Sequence, residues 1–152
     1  DSHFELPVVD TDADTLDTVD FEPFRRLSDL PMAMTAHIVY TAFDADACAT
    51  VSPKMIDIIR NSIGFDGLLM TDDLSMKALK GTFGERTSAS LNAGWDVVLH
   101  CNGDMDEMTQ IMASVPTLSD KSLTRANAAA NLRKPPEPFD VDGADSVFAS
   151  LL

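Results

Sequence analysis

Three residues constrain this chain most: Leu68, Leu69 and Met70, entered through Gly64-Phe65-Asp66-Gly67 and left through Thr71-Asp72-Asp73. The run is too short for a helix and too apolar for a solvated loop, so it reads as a buried strand. Strands covered on both faces, as in parallel sheets, have this composition. Shorter runs of the same kind occur within residues 31–40 and 96–102. Between them the apolar spacing turns helical. Ser52-Pro53 supplies a cap and a first-turn proline, Met55, Ile58, Ile59 and Ile63 share a face, and Gly64 stops the helix. A second helix is expected over 85–93, ended by Gly94. A third over 104–115 would pack Met105, Met108, Ile111 and Met112 into the core, and a fourth would cover 122–132. Ahead of these, a helix from Asp12 or Asp14 to Leu27 is broken into two pieces at Pro23, with acids in its first turn.

Helix alternating with strand means an α/β fold with a parallel sheet. Three strands cannot close a barrel and leave a sheet edge open. Residues 1–134 form the folded body. Residues 135–152, with Pro135, Pro136 and Pro138 among acids, are expected to be a surface strap or poorly ordered tail.

Charge narrows the function classes. The net charge of −14 over 152 residues excludes a phosphate-backbone binder and opposes docking to anionic membrane, so neither nucleic acid nor membrane is an expected partner. No apolar run approaches the roughly 18 residues of a membrane span. Two cysteines, Cys48 and Cys101, make neither a disulfide scaffold nor a zinc spacing, which points to a reducing, cytoplasmic setting.

The chemistry-bearing residues are few. Asp72 leaves the core at the carboxyl end of a strand, where parallel α/β folds do chemistry. It reads as a nucleophile or metal-binding carboxylate, against a helix cap; Asp73 reads as cap or loop support. Asp1 and His3 stand two apart, so their side chains can meet, and a carboxylate raises imidazole basicity and fixes its tautomer. They read as a general acid/base pair or as a chain end without a role. His37 follows Met34-Thr35-Ala36 and either lines a pocket or is a hydrogen-bonded structural residue; His100 reads as structural. There is no glycine-rich phosphate loop and no second cluster of metal ligands.

Taken together, Asp1-Ser2-His3, Met34-Thr35-Ala36-His37, Ser52-Pro53, the stretch from Gly64 through Asp72-Asp73-Leu74-Ser75-Met76, and Ala89 to Asn102 resemble family-3 glycoside hydrolases. More narrowly they are similar to the bacterial β-N-acetylglucosaminidases of cell-wall recycling, the NagZ type. The resemblance implies the C-terminal half of a (β/α)8 TIM barrel, strands six to eight with their covering helices. The first five strands would lie in an N-terminal half, a required partner, and Asp1-Ser2-His3 in the loop after the fifth. It further implies that Asp72 is the nucleophile, His3 the acid/base, Asp1 the residue that orients His3, and His37 a substrate contact. The implied substrate is terminal β-linked N-acetylglucosamine on anhydro-muropeptides, hydrolysed with retention and without metal or organic cofactor. Two alternatives stay open: a family-3 β-glucosidase, and an inactive fragment or binding module that needs its other half.

Overall fold

The computed structural model describes residues 3–152. Chain order is β1 (Val8–Val9), α1 (Ala13–Thr15), α2 (Glu22–Arg25), β2 (Met32–Met34), β3 (Val39–Tyr40), α3 (Pro53–Asp57), β4 (Leu68–Asp73), α4 (Phe83–Ala93), β5 (Val97–Leu99), α5 (Met105–Met112), α6 (Asp120–Asn131) and α7 (Val141–Leu151). Every strand pairing is parallel. β1 pairs with β3, and β4 lies between β2 and β5 in a three-stranded sheet. The mixed α/β character with parallel sheets agrees with the expectation.

The helix signals act as their chemistry predicts. The Asp12 side chain caps α1, and a π-helical turn over Leu16–Asp20 leads into α2, whose first turn holds Pro23. Ser52 caps α3, with its hydroxyl taking the Met55 N–H at 3.2 Å, and Pro53 follows where no N–H is needed. That helix widens into a π-helical turn over Ile58–Ser62 and stops at Gly64. Thr82 and Glu85 close a capping box at α4, two residues ahead of the expected start, and Gly94 ends it at φ +116°.

The structure adds to these expectations or departs from them at four points. Residues 31–40, expected to hold one strand and its exit, hold that strand as β2, paired with β4, and a second, β3, paired with β1; between them the chain buries His37. β1 itself sits in a segment whose acidity hid it. The methionine face of α5 is not core: Met105 and Met112 are each 67% exposed. Met108 is exposed as well; on this helix only Ile111 is buried, in the cluster that the half-buried Val115 packs against. Residues 141–151 form a helix with an Asp140 cap rather than an irregular strap, its apolar side chains largely exposed. Among the described residues no helix is long and apolar enough to cross a membrane.

The core lies on both sides of β4. Leu69 packs with Ile56, Phe65, Ala93 and Trp95, and Leu74 with Val39, Cys48, Leu79 and Ile111. The amino ends of β4 and β5 are tied by a buried carboxylate. Asp96 accepts from Arg60 Nη2 (2.6 Å) and the Leu69 N–H (2.9 Å) on one oxygen. On the other it accepts from Ser122 Oγ (2.6 Å) and Arg125 Nη1 (3.0 Å). Arg125 also pairs with Asp66. Burial opposes ionisation of Asp96, but these donors outweigh it and hold its carboxyl below the ordinary range.

Candidate active site

The opposite, carboxyl end of β4 carries the candidate chemistry. At the amino end, Gly67 lets β4 enter close beside the chain leading into β2: a Cβ at this position would lie 2.7 Å from the Leu30 carbonyl oxygen and 2.8 Å from that of Pro31. β4 then bulges. Met70 is level with Val97 and Asp73 with Leu99, so three steps along β4 match two along β5. The extra residue disrupts the ladder, and the Thr71 hydroxyl repairs it by accepting the Leu99 N–H at 3.1 Å. Bulges of this kind re-aim side chains beside active sites. Here the bulge lies between Met70 and Asp73 and so includes Asp72.

Asp72 is half-buried, and one of its oxygens accepts the Asp73 N–H at 2.8 Å. The Asp73 carboxylate turns the other way. It accepts the Ser75 N–H (2.9 Å), the Ser75 hydroxyl (2.6 Å) and the Cys101 N–H (3.2 Å). Burial raises its pKa, the Ser75 and Cys101 donors lower it more, and the net direction is down. Asp73 is therefore committed to holding the loop, as loop support was expected to be. The chain beyond is buried through Leu74 and Met76, and Arg86 Nη1 donates to the Leu74 carbonyl at 2.7 Å while stacking over Phe83. The result is one carboxylate, Asp72, presented at a strand end with its orientation set by backbone.

His37 is 0% exposed. Its Nε2 lies 2.9 Å from the Asp73 carbonyl oxygen and its Nδ1 2.6 Å from Thr50 Oγ1. Both ring nitrogens are thereby engaged inside the protein. His37, read from the sequence as either a pocket wall or a hydrogen-bonded residue, is thus buried with both ring nitrogens facing protein groups. His100, expected to be structural, pairs its Nε2 with Glu107 at 2.7 Å. His3 is exposed near the start of the described chain, and Asp1 lies outside the described residues. The structure thus gathers Asp72, Asp73 and His37. Thr50, Thr71 and the Cys101 N–H belong to the same site but carry no local sequence signal, since each acts on a residue distant in the chain or through a backbone group.

Comparison with known proteins follows from this geometry. Residues 1–133 match the family described as Glycosyl hydrolase family 3 N terminal domain. The chain is similar to the beta-hexosaminidase of Chromobacterium violaceum, 37% identical over 120 residues, covering 76% of this chain and 34% of that protein. It is similar to the beta-hexosaminidase of Glaesserella parasuis, 33% identical over 129 residues, covering 80% of this chain and 38% of that protein. Among solved structures it resembles NagZ from Neisseria gonorrhoeae in complex with N-trifluoroacetyl-D-glucosamine, at 33% identity and TM-score 0.72, covering 85% of this chain and 38% of that one. The chain therefore spans well under half the length of these relatives.

Proposed function

This chain belongs to glycosyl hydrolase family 3, and from that premise we propose that it supplies the second half of a (β/α)8 barrel in a retaining exo-β-N-acetylglucosaminidase. The uniformly parallel pairing supports the barrel reading, as do β2 and β5 standing as the outer strands of their sheet, where further parallel strands would join. The activity reading rests on Asp72, a half-buried carboxylate at the carboxyl end of β4, within the bulge and oriented by a backbone N–H. The similarity to beta-hexosaminidases of known kind supports the choice of sugar.

In this reading the Asp72 carboxylate attacks the anomeric carbon as the glycosidic C–O bond breaks, forming a covalent glycosyl-enzyme. His3 donates its proton to the departing oxygen. In the second step His3 takes a proton from water, which displaces Asp72 and restores the original anomeric configuration. Asp1 orients His3. The substrate is terminal β-linked N-acetylglucosamine on muropeptides of peptidoglycan recycling. The setting is cytoplasmic, a reading supported by the unpaired cysteines Cys48 and Cys101. Sugar contacts from the N-terminal half complete the site.

The test is turnover of a chromogenic β-N-acetylglucosaminide by the whole protein and its Asp72→Ala variant, with the matching β-glucoside as competitor. The variant is expected to lose at least about a thousandfold in kcat, as removal of a nucleophile does. Undiminished turnover would remove Asp72 from the nucleophile role, and preference for the glucoside would move the assignment to a β-glucosidase.

A further inference from the structure

We infer that His37 is a positioning residue for Asp72, acting through the backbone of Asp73; the inference rests on Asp72 being the nucleophile. The Asp73 residue is gripped at both ends of its backbone. Its N–H is donated to the Asp72 carboxylate (2.8 Å), and its carbonyl oxygen lies 2.9 Å from His37 Nε2. A carbonyl only accepts, so His37 Nε2 carries a proton. In the neutral ring that leaves Nδ1 an acceptor, and Thr50 Oγ1, at 2.6 Å, is the donor. Thr50 is itself fixed: it is fully buried, and its carbonyl accepts the Trp95 Nε1–H at 2.7 Å. A continuous path therefore runs from Trp95 at the base of β5, through Thr50 and His37, to the backbone that aims Asp72.

The path has a reason to exist. A bulge frees β4 from regular pairing just where Asp72 projects. Past the bulge the Leu74 N–H again donates to the Leu99 carbonyl (2.9 Å), so backbone and side chains together set the direction of Asp73. The Asp73 carboxylate is held from one side by Ser75 and Cys101, and its carbonyl from the other by His37. An ordinary apolar residue at 37 would fill the space but leave the Asp73 carbonyl with the Met76 N–H alone, at 3.2 Å. The 73–74 peptide would then be held less firmly, and the Asp73 backbone whose N–H Asp72 uses would lose a restraint on its other side. Displacement of a reacting group by about 1 Å costs on the order of a hundredfold in rate.

The experiment compares His37→Leu, His37→Gln and Thr50→Val in the whole protein, with Asp72→Ala as reference. Leucine keeps bulk without a donor, and glutamine restores an N–H toward the Asp73 carbonyl. His37→Leu is expected to lower kcat about a hundredfold with KM within a few-fold of the parent. His37→Gln is expected to recover much of that loss, and Thr50→Val to fall between them. A rise in KM with kcat unchanged would make His37 a substrate contact and overturn the inference. So would equal losses in the leucine and glutamine variants that merely track their melting temperatures. Nitrogen-15 NMR of the parent supplies a readout independent of turnover: His37 should be in the Nε2–H tautomer, and an Nδ1–H tautomer would contradict the path. Full turnover by Asp72→Ala would instead remove the reading on which the inference rests.

Discussion

Asn in place of Asp96 tests the electrostatic lock at the amino ends of β4 and β5. The Asp96 side chain is 1% exposed, and the paired Arg60 and Arg125 side chains are only 13% and 15% exposed. All four donors that reach its two oxygens need an acceptor. An asparagine accepts on one side only and turns its amide NH2 toward two of those donors. Arg60 keeps the carbonyls of Phe65 and Gly67, and Arg125 keeps Asp66, so both retain some compensation. Breaking one member of a buried ion pair costs about 3–5 kcal/mol, and the retained partners place Asp96→Asn near about 3 kcal/mol on that scale. Against a total of about 5–15 kcal/mol for a folded domain, that is a large fraction. The pH dependence has a defined sign. The folded pKa of Asp96 is depressed, so its contribution is fully present above the unfolded carboxyl value of about 3.9. It is lost as pH falls through the lower folded value. Asp73 has a pKa shifted the same way and contributes to acid sensitivity in both proteins, so the difference between parent and variant isolates Asp96. Urea unfolding at neutral pH and again below about pH 4 measures it. A neutral-pH loss under about 1 kcal/mol, or a gap that widens on acidification, would refute the argument.

Two substitutions probe how β4 is seated. Gly67→Ala drives a methyl against two backbone carbonyl oxygens that cannot swing aside, and should cost about 1–3 kcal/mol in urea unfolding; an unchanged midpoint would mean that the β2–β4 approach is looser than the geometry says. Thr71→Val keeps shape but takes the acceptor from the half-buried Leu99 N–H, at about 0.5–1.5 kcal/mol. Hydrogen exchange should show faster loss of the Leu99 amide proton, and unaltered protection would mean that the hydroxyl does not repair the bulge.

The local grammar of this chain was readable without coordinates. Ser52-Pro53, Gly64 and Gly94 mark helix ends because caps and left-handed residues act within one turn. The run Leu68-Leu69-Met70 marks a buried strand, with Asp72 at its exit, because burial on both faces leaves few polar residues. Tertiary structure decided what those signals cannot encode. The pairing of β1 with β3 joins residues some thirty positions apart, and two-residue strands leave no periodicity to read. The turn of α5 that buries Ile111 and exposes Met105 and Met112 depends on which neighbour lies beside it, not on composition. His37 shows the division most plainly. Its sequence neighbourhood allowed either a pocket wall or a buried support, and the choice came from Asp73, 36 residues away, and Thr50, 13 away. A hydrogen bond is short-ranged in space but indifferent to sequence distance. Residues that act through such bonds are therefore assigned by the fold, whereas strand, cap and strand-end carboxylate are assigned by the sequence itself.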